Sequence, residues 1–247
     1  MPEDDPFRHH PGLRGKITPF RDSFFRDKTV DDIKALMTAK GIPILFPFHS
    51  DDTREGLRRA ALKDHDGDLW VFAYGSLIWD PALDFAELRR ARAPGHARRF
   101  ILVDTYGGRG TEDAPGLMAA LDEGAGCDGV AFRIKAAKVE TETRQLFQRE
   151  LIGPGYLARF VDVEIGGDSA RALTFLADHD DPLMRPDITR TDQVRYAATG
   201  TGFLGSSLDY LENTVAHLAE IGIDDPDITA LLSEVRAYMA ETPEDHG

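Results

Sequence analysis

The chain has 247 residues, is 42% apolar and 29% charged, and carries a formal net charge of −14. That length suits one large domain, or a domain with an extension. The acidic balance disfavours binding to nucleic acid or to an anionic membrane, both of which need basic patches. No run approaches the roughly 18 apolar residues a membrane helix requires. Cys127 is the only cysteine, which excludes an internal disulfide and a cysteine-built zinc site and points to a reducing cytoplasm.

The acidic start, Met1-Pro2-Glu3-Asp4-Asp5, lacks the apolar stretch of a signal peptide. Residues 1–20 are rich in Pro, His and charge and read as mobile. Ile33, Leu36 and Met37 share a face, so the spacing predicts a helix over 30–39 ended by Gly41. The two prolines of Ile42–Phe48 keep that apolar stretch out of a central strand. Residues 51–68 are charged and helical near Arg54–Leu62. Residues 1–68 therefore read as an N-terminal extension, and 69–240 as the main domain. Within the latter, strands are expected at 69–75, 99–104, 116–121, 128–135, 160–165 and 171–177. Helices are expected at 83–90, 136–151, 190–198, 207–221 and 226–240, with Asp84 near the start of the first and Asp227 capping the last. Strands in succession without regular helical crossovers favour an α+β fold. The simplest form is a small mixed β-barrel with flanking helices.

Two places carry chemistry. The apolar strand from Leu69 breaks into Tyr74-Gly75-Ser76-Leu77. Such a loop brings bare backbone N–H groups and a hydroxyl to one spot, where they can hold a carboxylate or an oxyanion; the plainer reading is an ordinary turn. In the helix over 136–151, Val139, Thr143, Leu146, Phe147, Glu150 and Leu151 fall on one stripe, with Glu140, Glu142, Arg144 and Arg149 pointing elsewhere. A carboxylate on an apolar face is costly unless paired, and burial raises its pKa toward the range of a general base. Glu150 is thus either a base or one half of a structural ion pair. Arg89, Arg90, Arg92, Arg98, Arg99 and Arg109 crowd one basic segment, and the first three read as a solvated helix face. Tyr106–Thr111 is glycine-rich without the Gly-Lys-Ser/Thr of a phosphate loop. Asp178-His179-Asp180-Asp181 reads as a solvated turn and not as a metal cluster.

The segment Phe72-Ala73-Tyr74-Gly75-Ser76-Leu77-Ile78-Trp79 resembles the signature of the ChaC-type gamma-glutamylcyclotransferases. Further matches follow in the same order: Arg98-Arg99-Phe100, Arg109-Gly110-Thr111, Pro115-Gly116, Gly129–Arg133, Arg149-Glu150 with Tyr156, and Tyr210–Val215. The resemblance covers roughly residues 69–223. It implies a small barrel and cleavage of glutathione to 5-oxoproline and cysteinylglycine, with no metal and no cofactor. It puts the catalytic glutamate at Glu150 and the substrate loop at Ala73, Tyr74, Gly75, Ser76, Leu77 and Ile78. Glycine is frequent in that family where Ala73 stands, and residues 1–68 have no counterpart in its shorter members. Arg99 and Arg109 are candidates to hold a substrate carboxylate by bidentate hydrogen bonds. Tyr156 and Tyr210 are candidates to bond the substrate. Ser76 lacks the G-x-S-x-G surroundings of a covalent nucleophile. Two alternatives stay open: cyclisation of other γ-glutamyl amino acids or amines, and a non-catalytic binder of γ-glutamyl peptides.

Overall fold

A computed structural model of the chain describes residues 5–242. Residues 1–4, which hold most of the acidic start, and 243–247, the end of the acidic tail, lie outside the described residues. The elements are α1 (Val30–Ala39), α2 (Asp51–Leu62), β1 (Leu69–Ala73), β2 (Glu87–Ala93), β3 (His96–Tyr106), β4 (Thr111–Glu123), β5 (Cys127–Ile134), α3 (Val139–Glu150), β6 (Tyr156–Ile165), β7 (Asp168–Ala177), α4 (Arg190–Thr199), β8 (Thr201–Gly202), β9 (Gly205–Ser206), α5 (Ser207–Glu220) and α6 (Pro226–Glu241).

Five strands close on themselves in the order β1-β5-β2-β6-β7 and back to β1. Every pairing in that ring is antiparallel except the last, where Trp70 and Val71 of β1 run parallel to Ala172 and Leu173 of β7. Closure leaves no exposed edge in the ring. The long β3–β4 hairpin extends from β7, with Leu121 of β4 parallel to Leu176. The β6–β7 turn needs two residues at positive φ, and Gly166 (φ 62°) and Gly167 (φ 95°) supply them. Phe72, Phe132 and Phe175 from the barrel strands and Phe147 from α3 are fully buried and form much of the core. The expected α+β barrel with flanking helices is the fold observed. Among the described residues, no helix is long and apolar enough to cross a membrane.

Three expectations are corrected. Residues 83–90 are not a helix: 87–93 form β2, paired along its whole length with β5. The run Glu-Leu-Arg-Arg-Ala-Arg favours a helix locally, but burying Leu88, Ala91 and Ala93 against β5 outweighs that preference. Arg89, Arg90 and Arg92 therefore project from a strand, where Arg92 pairs with Asp128 at 2.6 Å and Arg90 donates to the Gly222 carbonyl at 2.9 Å. Asp84 caps nothing; Lys138 pairs with its carboxylate. The cap of α6 is Asp225, not Asp227, because Pro226 takes the first helical position and moves the start by two residues.

The third correction concerns residues 5–20, read as mobile. Leu13 and Ile17 are 5% exposed and join the main core. The Pro6 carbonyl and the His10 ring accept the amides of Leu88 and Arg90 at 3.1 and 3.0 Å, so this stretch lies along β2. Further on, α2 docks on α3 through Arg58, which is 4% exposed and bonds Glu140 at 2.9 Å and Thr143 at 3.1 Å. The capping box that Thr29 and Asp32 form fixes where α1 begins.

Candidate functional site

β1 delivers the site's first half. Where the strand ends, Gly75 opens a tight 3₁₀ turn over Ser76–Ile78. The first bond within that turn runs from the Ile78 amide to the Gly75 carbonyl at 2.9 Å. The amides of Ser76 and Leu77 therefore have no partner inside it. A Cβ on Gly75 would lie 2.8 Å from the Tyr210 hydroxyl, so only glycine lets the loop approach α5 this closely. The turn is held from behind by Arg98, whose side chain is wholly buried. Its guanidinium donates to the Tyr74 carbonyl at 2.6 Å and the Asp128 carbonyl at 2.7 Å, and it also pairs with Asp225.

The second half comes from the C-terminal end of α3. Glu150 is its last residue, and the side chain keeps 18% of its exposure. Its carboxylate pairs with Arg149 Nε at 2.8 Å. Burial pushes the Glu150 carboxyl up, and nearby Asp80 adds to that; the Arg149 charge and hydrogen bond oppose both. Arg149 also donates to Ser76 Oγ at 3.0 Å and to the Asp80 carbonyl, and its guanidinium lies 4.4 Å from the Phe25 ring. One arginine thus clamps the turn after β1 to the carboxylate on α3.

These groups open on one cavity of about 270 Å³. Tyr74, Gly75, Ser76, Leu77, Arg109, Glu150, Tyr156 and Tyr210 all line it. The Tyr74 hydroxyl donates to the Phe175 carbonyl and that of Tyr156 to the Ala119 carbonyl, each at 2.8 Å. Burial drives the Tyr74, Tyr156 and Tyr210 hydroxyls above the usual phenol range, so all three stay protonated donors. Arg109 stacks 4.8 Å from the Tyr210 ring and donates to the Ser206 carbonyl at 3.0 Å. Burial pulls its guanidinium down from its ordinary value, and the nearby Tyr210, Asp209 and Asp104 oppose that. Asp104 shapes the glycine loop by accepting the Tyr106 amide at 2.8 Å and the Arg109 amide.

Three of the expected site residues lie elsewhere. Ala73 and Ile78 are 0% and 2% exposed and point into the core, so they do not line the cavity. Arg99 faces the outer side of β3, pairing with Asp122 at 2.7 Å and donating to the Pro186 carbonyl at 2.8 Å. Two residues expected to point away from the apolar face are in fact inward. The Arg149 side chain is 4% exposed, and Glu142 is buried against Arg26 at 2.6 Å. Helical spacing alone misses Arg149, because a site at a helix end is not confined to one stripe; its place beside Glu150 in the matched pattern was the available signal. Asp80 and the far wall of the cavity, built by residues such as Phe25, Ile33, Met37 and Phe46 from before β1, were also missed.

A family model described as ChaC-like protein matches residues 69–238. The chain is 34% identical over 182 residues to the glutathione-specific gamma-glutamylcyclotransferase of Escherichia coli (strain K12), covering 73% of this chain and 78% of that protein. It is 31% identical over 186 residues to glutathione-specific gamma-glutamylcyclotransferase 1 of Danio rerio, covering 69% of this chain and 92% of the relative. A crystal structure of a yeast gamma-glutamyl cyclotransferase specific to glutathione superposes with a TM-score of 0.64 at 22% identity, covering 70% of this chain and 97% of that one.

Proposed function

Because the chain belongs to the ChaC-like protein family, we propose that it cleaves glutathione by intramolecular cyclisation, releasing 5-oxoproline and cysteinylglycine. The relatives' names supply the substrate. The observation that carries the chemistry is Glu150, a sequestered carboxyl with a raised pKa, lining the same cavity as the Gly75–Leu77 turn.

The reaction needs four things, and each has a candidate. A γ-glutamyl amide contains its own nucleophile, the α-amine, which must be folded back onto the γ-carbonyl to close a five-membered ring. Arg109 orients the substrate by pairing with its α-carboxylate, since its charge has no carboxylate partner within 4.0 Å among the described residues. Glu150 removes a proton from the α-ammonium, and the freed amine attacks the γ-carbonyl carbon. The amides of Ser76 and Leu77 take up the developing oxyanion. Protonated Glu150 then returns its proton to the leaving nitrogen; the carboxylate so formed takes the second proton of the attacking nitrogen as the amide C–N bond breaks and passes it to the released amine, so the ring nitrogen keeps one hydrogen, the base is regenerated and no acyl-enzyme forms. Tyr210 supplies a neutral hydroxyl beside the substrate, whereas Tyr74 and Tyr156 have given their single O–H to the Phe175 and Ala119 carbonyls and offer only an accepting oxygen. Ser76 is a poor candidate for covalent attack because, among the described residues, no histidine lines the cavity and its Oγ is bonded by Arg149. Cys127 is not part of this chemistry: it is buried in β5, which pushes its thiol up, and an inert, unpaired thiol suits a reducing cytoplasm.

The test is 5-oxoproline release from glutathione, from γ-glutamyl amino acids and from γ-glutamyl amines under matched conditions. The expected result is turnover with the highest kcat/KM for glutathione. Higher kcat/KM for another γ-glutamyl compound would reassign the substrate. Glutathione-induced thermal stabilisation without product from any of them would leave a binding protein instead.

A further inference from the structure

Glutathione carries two carboxylates, and Arg109 accounts for only the one at the γ-glutamyl end. The other ends the leaving dipeptide. The cavity is lined by three cationic side chains, Arg109, Arg149 and Lys28. Arg149 is committed to Glu150, Ser76 and the Asp80 carbonyl. Lys28 is exposed, and its ammonium makes no ion pair within 4.0 Å among the described residues; the aromatic face it meets is Phe24, at 5.8 Å. The carboxylate whose charge it feels, Asp32, is occupied in the Thr29 capping box.

Lys28 is nonetheless held in place. The stretch Arg26–Lys28 runs beside α3 and is fastened to residues three apart along it. Arg26 bonds Glu142 at 2.6 and 3.1 Å, the Asp27 amide donates to Gln145 Oε1 at 3.2 Å, and the Gln148 side-chain amide donates to the Lys28 carbonyl. The last of these anchors lies two residues before Glu150. The backbone of Lys28 is therefore fixed relative to the carboxylate, while its side chain is free to reach. The cavity lining contributed here includes Phe25, Val30 and Ile33 and two uncharged polar side chains, Thr29 and Gln148, which already donate to Asp32 and to the Lys28 carbonyl. A carboxylate entering this side of the cavity meets one unpaired cation.

We infer that Lys28 determines leaving-group specificity, its ammonium receiving the terminal carboxylate of the departing peptide at the cavity rim. The inference rests on the proposed cyclisation and adds to it a preference for peptide leaving groups that end in a free carboxylate over neutral amines. Lys28 lies outside the residues 69–238 matched by the family model, so this device belongs to the segment before β1 and not to the shared barrel.

The experiment compares glutathione with its C-terminal amide as substrates for the full chain and for Lys28→Ala and Lys28→Arg. A rim ion pair is partly screened, so the unaltered protein should favour the free acid by roughly three- to tenfold in kcat/KM, chiefly through KM, and less so at high salt. Lys28→Ala should bring that ratio to within about twofold of one, and Lys28→Arg should keep it. An unaltered protein that treats both peptides alike overturns the inference. So does a Lys28→Ala variant whose two rates fall together with the ratio intact, which is the mark of a structural role. No 5-oxoproline from either peptide overturns the proposed function itself and removes the Lys28 assignment with it.

Discussion

Alanine at position 75 would put a Cβ 2.8 Å from Tyr210 Oη, too close for the two to coexist unmoved. Neither side yields easily. The turn is tethered by the Arg98 bond to the Tyr74 carbonyl at 2.6 Å, and the Tyr210 ring is packed against Trp79 and Phe100 at 5.9 Å each, with Arg109 over its face at 4.8 Å. Overpacking of this kind costs about 1–3 kcal/mol, which lowers Tm by roughly 2–12 °C in a chain of this size. The clash has a single origin, because the next ring atom, Cζ, is 4.0 Å away, an ordinary contact. Tyr210→Phe should therefore relieve it. Denaturant unfolding of Gly75→Ala, Tyr210→Phe and the double variant measures the coupling. Gly75→Ala should cost at least about 1 kcal/mol less in the Tyr210→Phe background than in the unaltered chain. Equal costs in both backgrounds would refute the idea that the hydroxyl is what requires glycine at position 75.

Other outcomes follow from the same geometry. Arg98→Met leaves Asp225, the buried Tyr74 carbonyl and the half-buried Asp128 carbonyl without their arginine donor, so unfolding experiments should show a loss of about 3–5 kcal/mol; a loss under 1 kcal/mol would mean the tether is idle. Arg149→Gln removes the charge that opposes burial at Glu150, so the acidic limb of the kcat/KM profile should move to higher pH; a limb that stays or moves down contradicts the pairing. Glu150 binds its proton more tightly in the folded protein than its ordinary value of 4.5 would give, so its ionisation costs stability as pH rises through the folded pKa. Glu150→Gln should then melt at or above the unaltered protein at pH 8, with the gap narrowing toward pH 4; a clearly lower melting temperature at pH 8 would count against a destabilised carboxylate.

The barrel was readable where pattern and turn chemistry agree. Leu69–Ala73 is apolar throughout and pairs on both sides inside the closed ring, and the strands expected at 160–165 and 171–177 fall within the β6–β7 hairpin that Gly166-Gly167 turns. β2 was not readable, since its residues favour a helix and only the long-range pairing with β5 overrules them. At the site, Glu150 stood out as a charge on an apolar stripe, and Gly75-Ser76 as a break in a buried strand. Arg99 looked equivalent to Arg109 because sequence cannot tell which arginine already has a partner; Asp122 claims the first. The wall of the cavity supplied by Phe25, Lys28 and Phe46 depends on contacts across more than a hundred residues of chain, such as Arg26 with Glu142, and periodicity carries no trace of them.

The most direct measurement is the rate of 5-oxoproline formation from glutathione by Glu150→Gln, which keeps the side chain's shape and an acceptor for Arg149 while removing the base. A fall of about 10²–10⁴-fold in kcat, with a folded protein and little change in glutathione binding, is the expected result. A variant that turns over glutathione at close to the original rate would contradict the assignment of proton transfer to Glu150.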